Sequence, residues 1–137
     1  MKLKLSAIAV LVMTVPAQTR AAPLTDAEAT FLDQLATAAS VLVRRCTGYE
    51  ANGVGGVRRG AELLGSPNAA MAMIAAYDAA VKAHDGKTYD PTKFRPEVFE
   101  AARKTSSRVL AALRKNPEAA CAEYGDASAA YGLLRRY

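Results

Sequence analysis

The sequence predicts an all-α fold: a small bundle of four main helices with one or two short extra helices, stapled by one disulfide. Three observations lead there. Apolar residues recur every three or four positions through most of the chain. Helix-start signals stand in front of those runs. No segment alternates at period two, no Asn-Gly pair lies between β-branched runs, and Asn52-Gly53 is expected to have no strand on either side.

The opening segment reads as an export signal. Lys2 and Lys4 lead into an apolar stretch over residues 5–15, Pro16 breaks it, and Thr19-Arg20-Ala21 offers small residues to a signal peptidase. The stretch is shorter than the roughly 20 residues that span a bilayer. It holds no cysteine for a lipid anchor. Cleavage of residues 1–21 is expected, leaving residues 22–137 as a single helical domain in the periplasm or secreted beyond it. The full chain has 18 Lys and Arg against 13 Asp and Glu, a formal +5. Lys2, Lys4 and Arg20 leave with the signal, so the mature charge falls to +2.

Each helix has its own justification. Thr25-Asp26-Ala27-Glu28 is a capping box. Phe31, Leu35, Leu42 and Cys46 follow at helical spacing, which predicts a first helix to about Arg45. Gly48 is expected to stop it, and the glycines at 53, 55 and 56 to delay the next. A short helix is expected over residues 57–64, ended by Gly65. Ser66 as N-cap and Pro67 in the first turn then start an alanine-rich helix. Its apolar face is expected to hold Ala70, Ile74, Tyr77 and Val81, with Asp78 one turn before Lys82 and Gly86 at the end. Two prolines make KTYDPTKFRP, residues 87–96, a connection. Pro96 opens the next helix, whose stripe is Val98, Phe99, Ala102, Val109, Leu110 and Leu113. Asn116-Pro117-Glu118 repeats the start signal. The last helix carries Cys121 and Tyr124, is expected to break near Gly125, and to resume through Tyr131 and Leu134.

Two cysteines in an exported chain point to a Cys46–Cys121 disulfide. In the loop-entropy picture, closing a loop of about 75 residues is worth roughly 4.5 kcal/mol, and real bonds usually deliver less.

Several function classes are disfavoured. Residues 44–60, RRCTGYEANGVGGVRRG, have the composition of a phosphate loop. They match neither nucleotide motif, because Arg58 stands where the third glycine belongs and no Lys-Ser or Lys-Thr follows. The segment reads first as a joint whose arginines suit a carboxylate or a partner's acidic patch. His84 is the single histidine and reads as a solvated residue at a helix end. Ser106 and Ser107 lie mid-helix, without the strained turn that activates a serine. Glu97 and Glu100 are ordinary helix-start acids. With one histidine, no C-x-x-C and no C-x-x-C-H, neither metal nor haem is expected. Met71 and Met73 share a helix with His84 and read as core fillers. The scattered basic residues lack an aromatic platform for nucleic acid. No cofactor and no enzymatic activity are expected.

Tyrosines outnumber phenylalanines six to three. With arginine they are the residues of protein contact surfaces. The candidate partner contacts are Arg58, Arg59, Tyr131, Arg135, Arg136 and Tyr137. The reading is an exported, non-enzymatic protein that binds another envelope or secreted protein, of inhibitor or immunity type. The alternatives are a periplasmic stress chaperone and a carrier of a small apolar or anionic ligand. Size, export and one disulfide are similar to helical immunity proteins of secreted cell-wall amidases and to acid-stress chaperones, a likeness of class without a shared residue motif. The alanine-rich helix leaves packing within a monomer or across a homodimer equally open. Intact-mass analysis of the exported protein is expected to place the mature N-terminus at Ala22; a mass that retains residues 1–21 would refute the leader.

Overall fold

A computed structural model describes residues 23–137; the leader expected over residues 1–21 lies outside them. Five helices and two short strands follow one another: α1 (Asp26–Val43), β1 (Tyr49–Ala51), α2 (Gly53–Leu64), α3 (Pro67–His84), α4 (Pro96–Lys115), α5 (Pro117–Ala130) and β2 (Leu134–Arg136). Helices α1 to α4 form a ring in which each touches the next, and α5 lies in the seam between α1 and α4. The buried apolar residues make one cluster. At its centre Phe31, Leu32, Val41, Val98 and Val109 are almost fully enclosed, each contributing about 1.5–3 kcal/mol by burial.

The start signals work as their chemistry requires. In the capping box the Thr25 hydroxyl accepts from the Glu28 N–H at 3.1 Å and the Glu28 carboxylate accepts from the Thr25 N–H at 3.3 Å. Ser66 accepts from the Ala69 N–H and Asn116 from the Ala119 N–H, at 3.1 and 3.2 Å. Arg95 joins two helix starts by reaching Glu28 at 3.3 Å and Glu97 at 2.7 Å.

Helix ends depart further from expectation. α1 stops at Val43, and Gly48 is not its terminator. Arg45 takes the left-handed conformation (φ 53°) instead, at a cost of roughly 1–2 kcal/mol for a side chain-bearing residue. There the Arg45 N–H donates to the Leu42 carbonyl and the Cys46 N–H to Val41, at 3.0 and 3.2 Å, which satisfies two terminal carbonyls. Cys46 therefore lies just past the helix. It bonds Cys121 on α5, with Cα atoms 5.6 Å apart and 75 positions between them in sequence.

The glycine run is helix, not joint. α2 begins at Gly53, four residues before the expected start, because Asn52 caps it by accepting from the Gly55 N–H at 3.1 Å. Glycine is used for close approach. A methyl on Gly60 would sit 2.6 Å from Ala70 Cβ and from the Phe31 ring, and one on Gly55 would strike the Gly132 carbonyl. α2 can thus seat against both α1 and α3.

Two more expectations are corrected. The buried face of α3 is Ala70, Met73, Ala76, Ala79 and Ala80, whereas Ile74 and Tyr77 are half-buried and Val81 is exposed. The larger side chains face a cleft, and the alanines face the bundle. α5 runs unbroken through Gly125, against which the Tyr49 ring packs. It ends at Gly132 (φ 79°), where the Leu133 N–H donates to Ser128 at 3.0 Å. The chain then forms β2 rather than more helix, pairing antiparallel with β1 so that Tyr49 faces Arg136 and Ala51 faces Leu134. Of the stripe expected for α4, Val98, Ala102, Val109 and Leu113 are buried, whereas Phe99 and Leu110 are half-buried.

The connection at residues 85–93 is exposed throughout. No helix among the described residues is long and apolar enough to cross a membrane. Gly60→Ala would gain about 0.5–1 kcal/mol on an open helix face. Here it is expected to lose about 1–3 kcal/mol by overpacking, while Gly53→Ala, with open space around it, is neutral or better. Urea unfolding of the two variants checks this pair of opposite signs.

Candidate functional site

The six candidate contact residues divide between two places. Arg135, Arg136 and Tyr137 belong to the ribbon made by β1 and β2. Arg135 pairs with Glu50 directly across the ribbon at 3.3 Å. Arg136 pairs with Asp126 on α5, and its guanidinium lies 5.7 Å from the centre of the Tyr49 ring. The Tyr49 hydroxyl donates to the same Asp126 carboxylate, and that hydrogen bond is the first cause of its raised pKa. Both arginines are thus occupied within the molecule. Such exposed pairs are worth at most about 1 kcal/mol each. Tyr137 is different: its N–H donates to the Gly48 carbonyl at 3.2 Å while its side chain is 81% exposed.

Arg59 and Tyr131 meet elsewhere. The Arg59 guanidinium lies 4.8 Å above the Tyr131 ring, donates to the Gln34 carbonyl oxygen at 3.0 Å and pairs with Glu62 at 3.5 Å. Arg58, its neighbour, points outward on the exposed side of α2, one turn after Val54.

Tyr131 also lines a groove of about 490 Å³ between α1 and α5. Asp33 stands at its edge, accepting from the Thr105 hydroxyl at 2.8 Å and from Arg108 at 3.0 Å. Gln34, Thr37 and Ser128 line it although all three are buried. Sequence reasoning missed them. The signal was there in Gln34 and Thr37, polar residues three apart on the apolar side of α1.

A second groove, about 520 Å³, opens between α1, α3 and α4. Its walls are mostly apolar, including Val43, Ile74, Val81, Phe99 and Leu110. His84 stands at this groove, two-thirds exposed, with its ring nitrogen 3.2 Å from Asp85. Ser106 and Ser107 line the same groove. Among the described residues no hydrogen bond joins either serine to the imidazole. Nor do any three His, Cys, Asp or Glu side chains there gather as metal ligands would.

No family model, curated protein or solved structure matches this chain.

Tyr77, half-buried in the wall of the second groove, gives that region a pH signature. Burial first, and the Asp85 carboxylate second, push its phenol up to about 12. Unfolded tyrosine loses its proton near 10. Stability that is full below about pH 10 is therefore lost as the pH rises towards about 12. Tyr77→Phe is expected to flatten that alkaline fall, read as urea midpoints collected across the range.

Proposed function

We propose that this is an exported, non-enzymatic protein that binds another envelope or secreted protein, in the manner of an inhibitor or immunity protein. The observation that carries the reading is the way the C-terminal end is held. Leu133 and Leu134 are buried, β2 is paired with β1, and the last residue is tied to Gly48. Tyr137 is consequently an exposed aromatic directly after an ordered strand. The start of α2 is fixed to the same ribbon by the Asn52 N–H, which donates to the Leu133 carbonyl at 3.0 Å. Val54, 74% exposed, and the exposed Arg58 follow on the first two turns of α2. An anchor held in place before binding loses less entropy on association, and tyrosine and arginine are the residues that dominate such contacts. The disulfide is compatible with an oxidising compartment. A small-ligand carrier is the second reading, favoured by the apolar groove beside Tyr77.

The test is capture from the native host after light cross-linking, with the tag inserted in the exposed 87–93 connection so that the C-terminus stays free. One envelope or secreted protein in near-equal amount is expected, weakened at least tenfold in a Tyr137→Ala, Arg58→Ala double variant. Capture unchanged in that variant would overturn the surface. A broad set of envelope proteins, growing with acid or heat, would favour a chaperone instead. No retained protein would overturn the reading itself.

A further inference from the structure

We propose that the groove between α1 and α5 binds a neutral saccharide. Its polar lining is buried and uncommitted. Ser128 is 2% exposed, and Gln34 and Thr37 are each 8% exposed. Among the described residues no protein group is hydrogen-bonded to the hydroxyl of Thr37 or Ser128, and Gln34 uses only its carbonyl oxygen, on Arg59. Yet Glu97 Oε2 is the one fully enclosed side-chain oxygen without a partner among those residues. The Thr37 and Ser128 oxygens therefore keep one side open, and both residues line the groove. Water reaches those oxygens, and a ligand hydroxyl that takes the place of that water keeps their hydrogen bonds.

The chemistry of the lining selects the class. Hydroxyls both donate and accept, and the unused part of the Gln34 amide donates. These groups match the hydroxyls of a sugar. The charges are already balanced, because Asp33 is held by Thr105 and Arg108 while Arg59 is held by Glu62 and Gln34. An ion finds no unpaired opposite charge there. A wholly apolar molecule would leave Ser128, Thr37 and Gln34 without partners, a costly arrangement. Tyr124 and Tyr131, with Ala29 and Ala127, supply flat apolar surface for the C–H faces of a pyranose ring. Arg108 spends one N–H on Asp33 and has others to offer a ring substituent. At about 490 Å³ the groove lies within the range of small-molecule sites. The inference does not rest on the ribbon or on the protein partner proposed for it.

The test uses the oxidised mature chain and two sources of the same chemistry. Maltose and N,N′-diacetylchitobiose are titrated while backbone amide shifts are followed by NMR, and insoluble chitin is used for co-sedimentation. Shifts confined to residues around Asp33–Thr37 and Tyr124–Tyr131 are expected with a disaccharide if the ligand is a free sugar. Co-sedimentation alone would point to a polymer chain. Ser128→Ala and the near-isosteric Thr37→Val are each expected to weaken binding about three- to tenfold. Tyr137→Ala should leave it unchanged. Failure of all three probes would overturn the proposal, as would affinity that neither groove variant alters. Tighter binding of glucuronate than of either disaccharide would overturn the neutral class.

Discussion

The Cys46–Cys121 bond is the constraint on which the rest of the molecule depends. It catches the chain at the moment α1 has ended in a left-handed arginine and fastens that turn to α5. Only two residues then separate Cys46 from β1, so the strand starts beside α5, where Tyr49 can reach Asp126 and lie on Gly125. β1 in turn supplies the edge on which the C-terminus pairs. Among the described residues the polypeptide leaving α5 through Gly132 has no other strand to join. The ribbon is a consequence of the staple's position as much as of its own sequence, for a pair of three-residue strands has little stability alone.

Small residues decide how closely the helices approach. Gly60 admits the Phe31 ring, and the alanines of α3 bring it against its neighbours. The same economy leaves space at the periphery. Where α3 turns Ile74, Tyr77 and Val81 away from the centre, the apolar groove appears. Where α5 meets α1 through Ala127 and Ser128, the groove with the buried hydroxyls appears.

What the sequence disclosed was local chemistry. Thr25 with Glu28, Ser66 with Pro67, and Asn116 with Pro117 each announced a helix start, because a cap acts within three residues of itself. The bundle and the disulfide followed from these signals with compartment logic. The glycines misled, since their usual role as helix stoppers hid Asn52 as a cap and Gly60 as a packing site. Both roles depend on partners elsewhere in the chain, Phe31 and Ala70 among them. The ribbon was invisible because three residues carry no detectable period. One signal was present and unread: Gly132 followed by apolar Leu133 is the pattern of a left-handed helix end with a hydrophobic residue behind it. The α3 face was misjudged for a different reason. Periodicity weights large side chains, and the bundle side of α3 is mostly alanine. The groove lined by Thr37 and Ser128 draws on α1, α4 and α5, so one stretch carried only its Gln34 and Thr37 part. Arg59 and Tyr131, singled out as contact residues, turned out to meet at its margin.

The covalent closure has a consequence for the chain's durability under proteolysis. Residues 46 to 121 form a ring that contains α2, α3 and α4, and the exposed connection at residues 85–93 lies within it. Exposed loops are where proteases cut first. A cut there opens the ring without releasing either fragment, because the piece bearing α1 to α3 stays bonded to the piece bearing α4 and α5. The nicked molecule keeps its ends in register and loses only the tether between two helices that already touch.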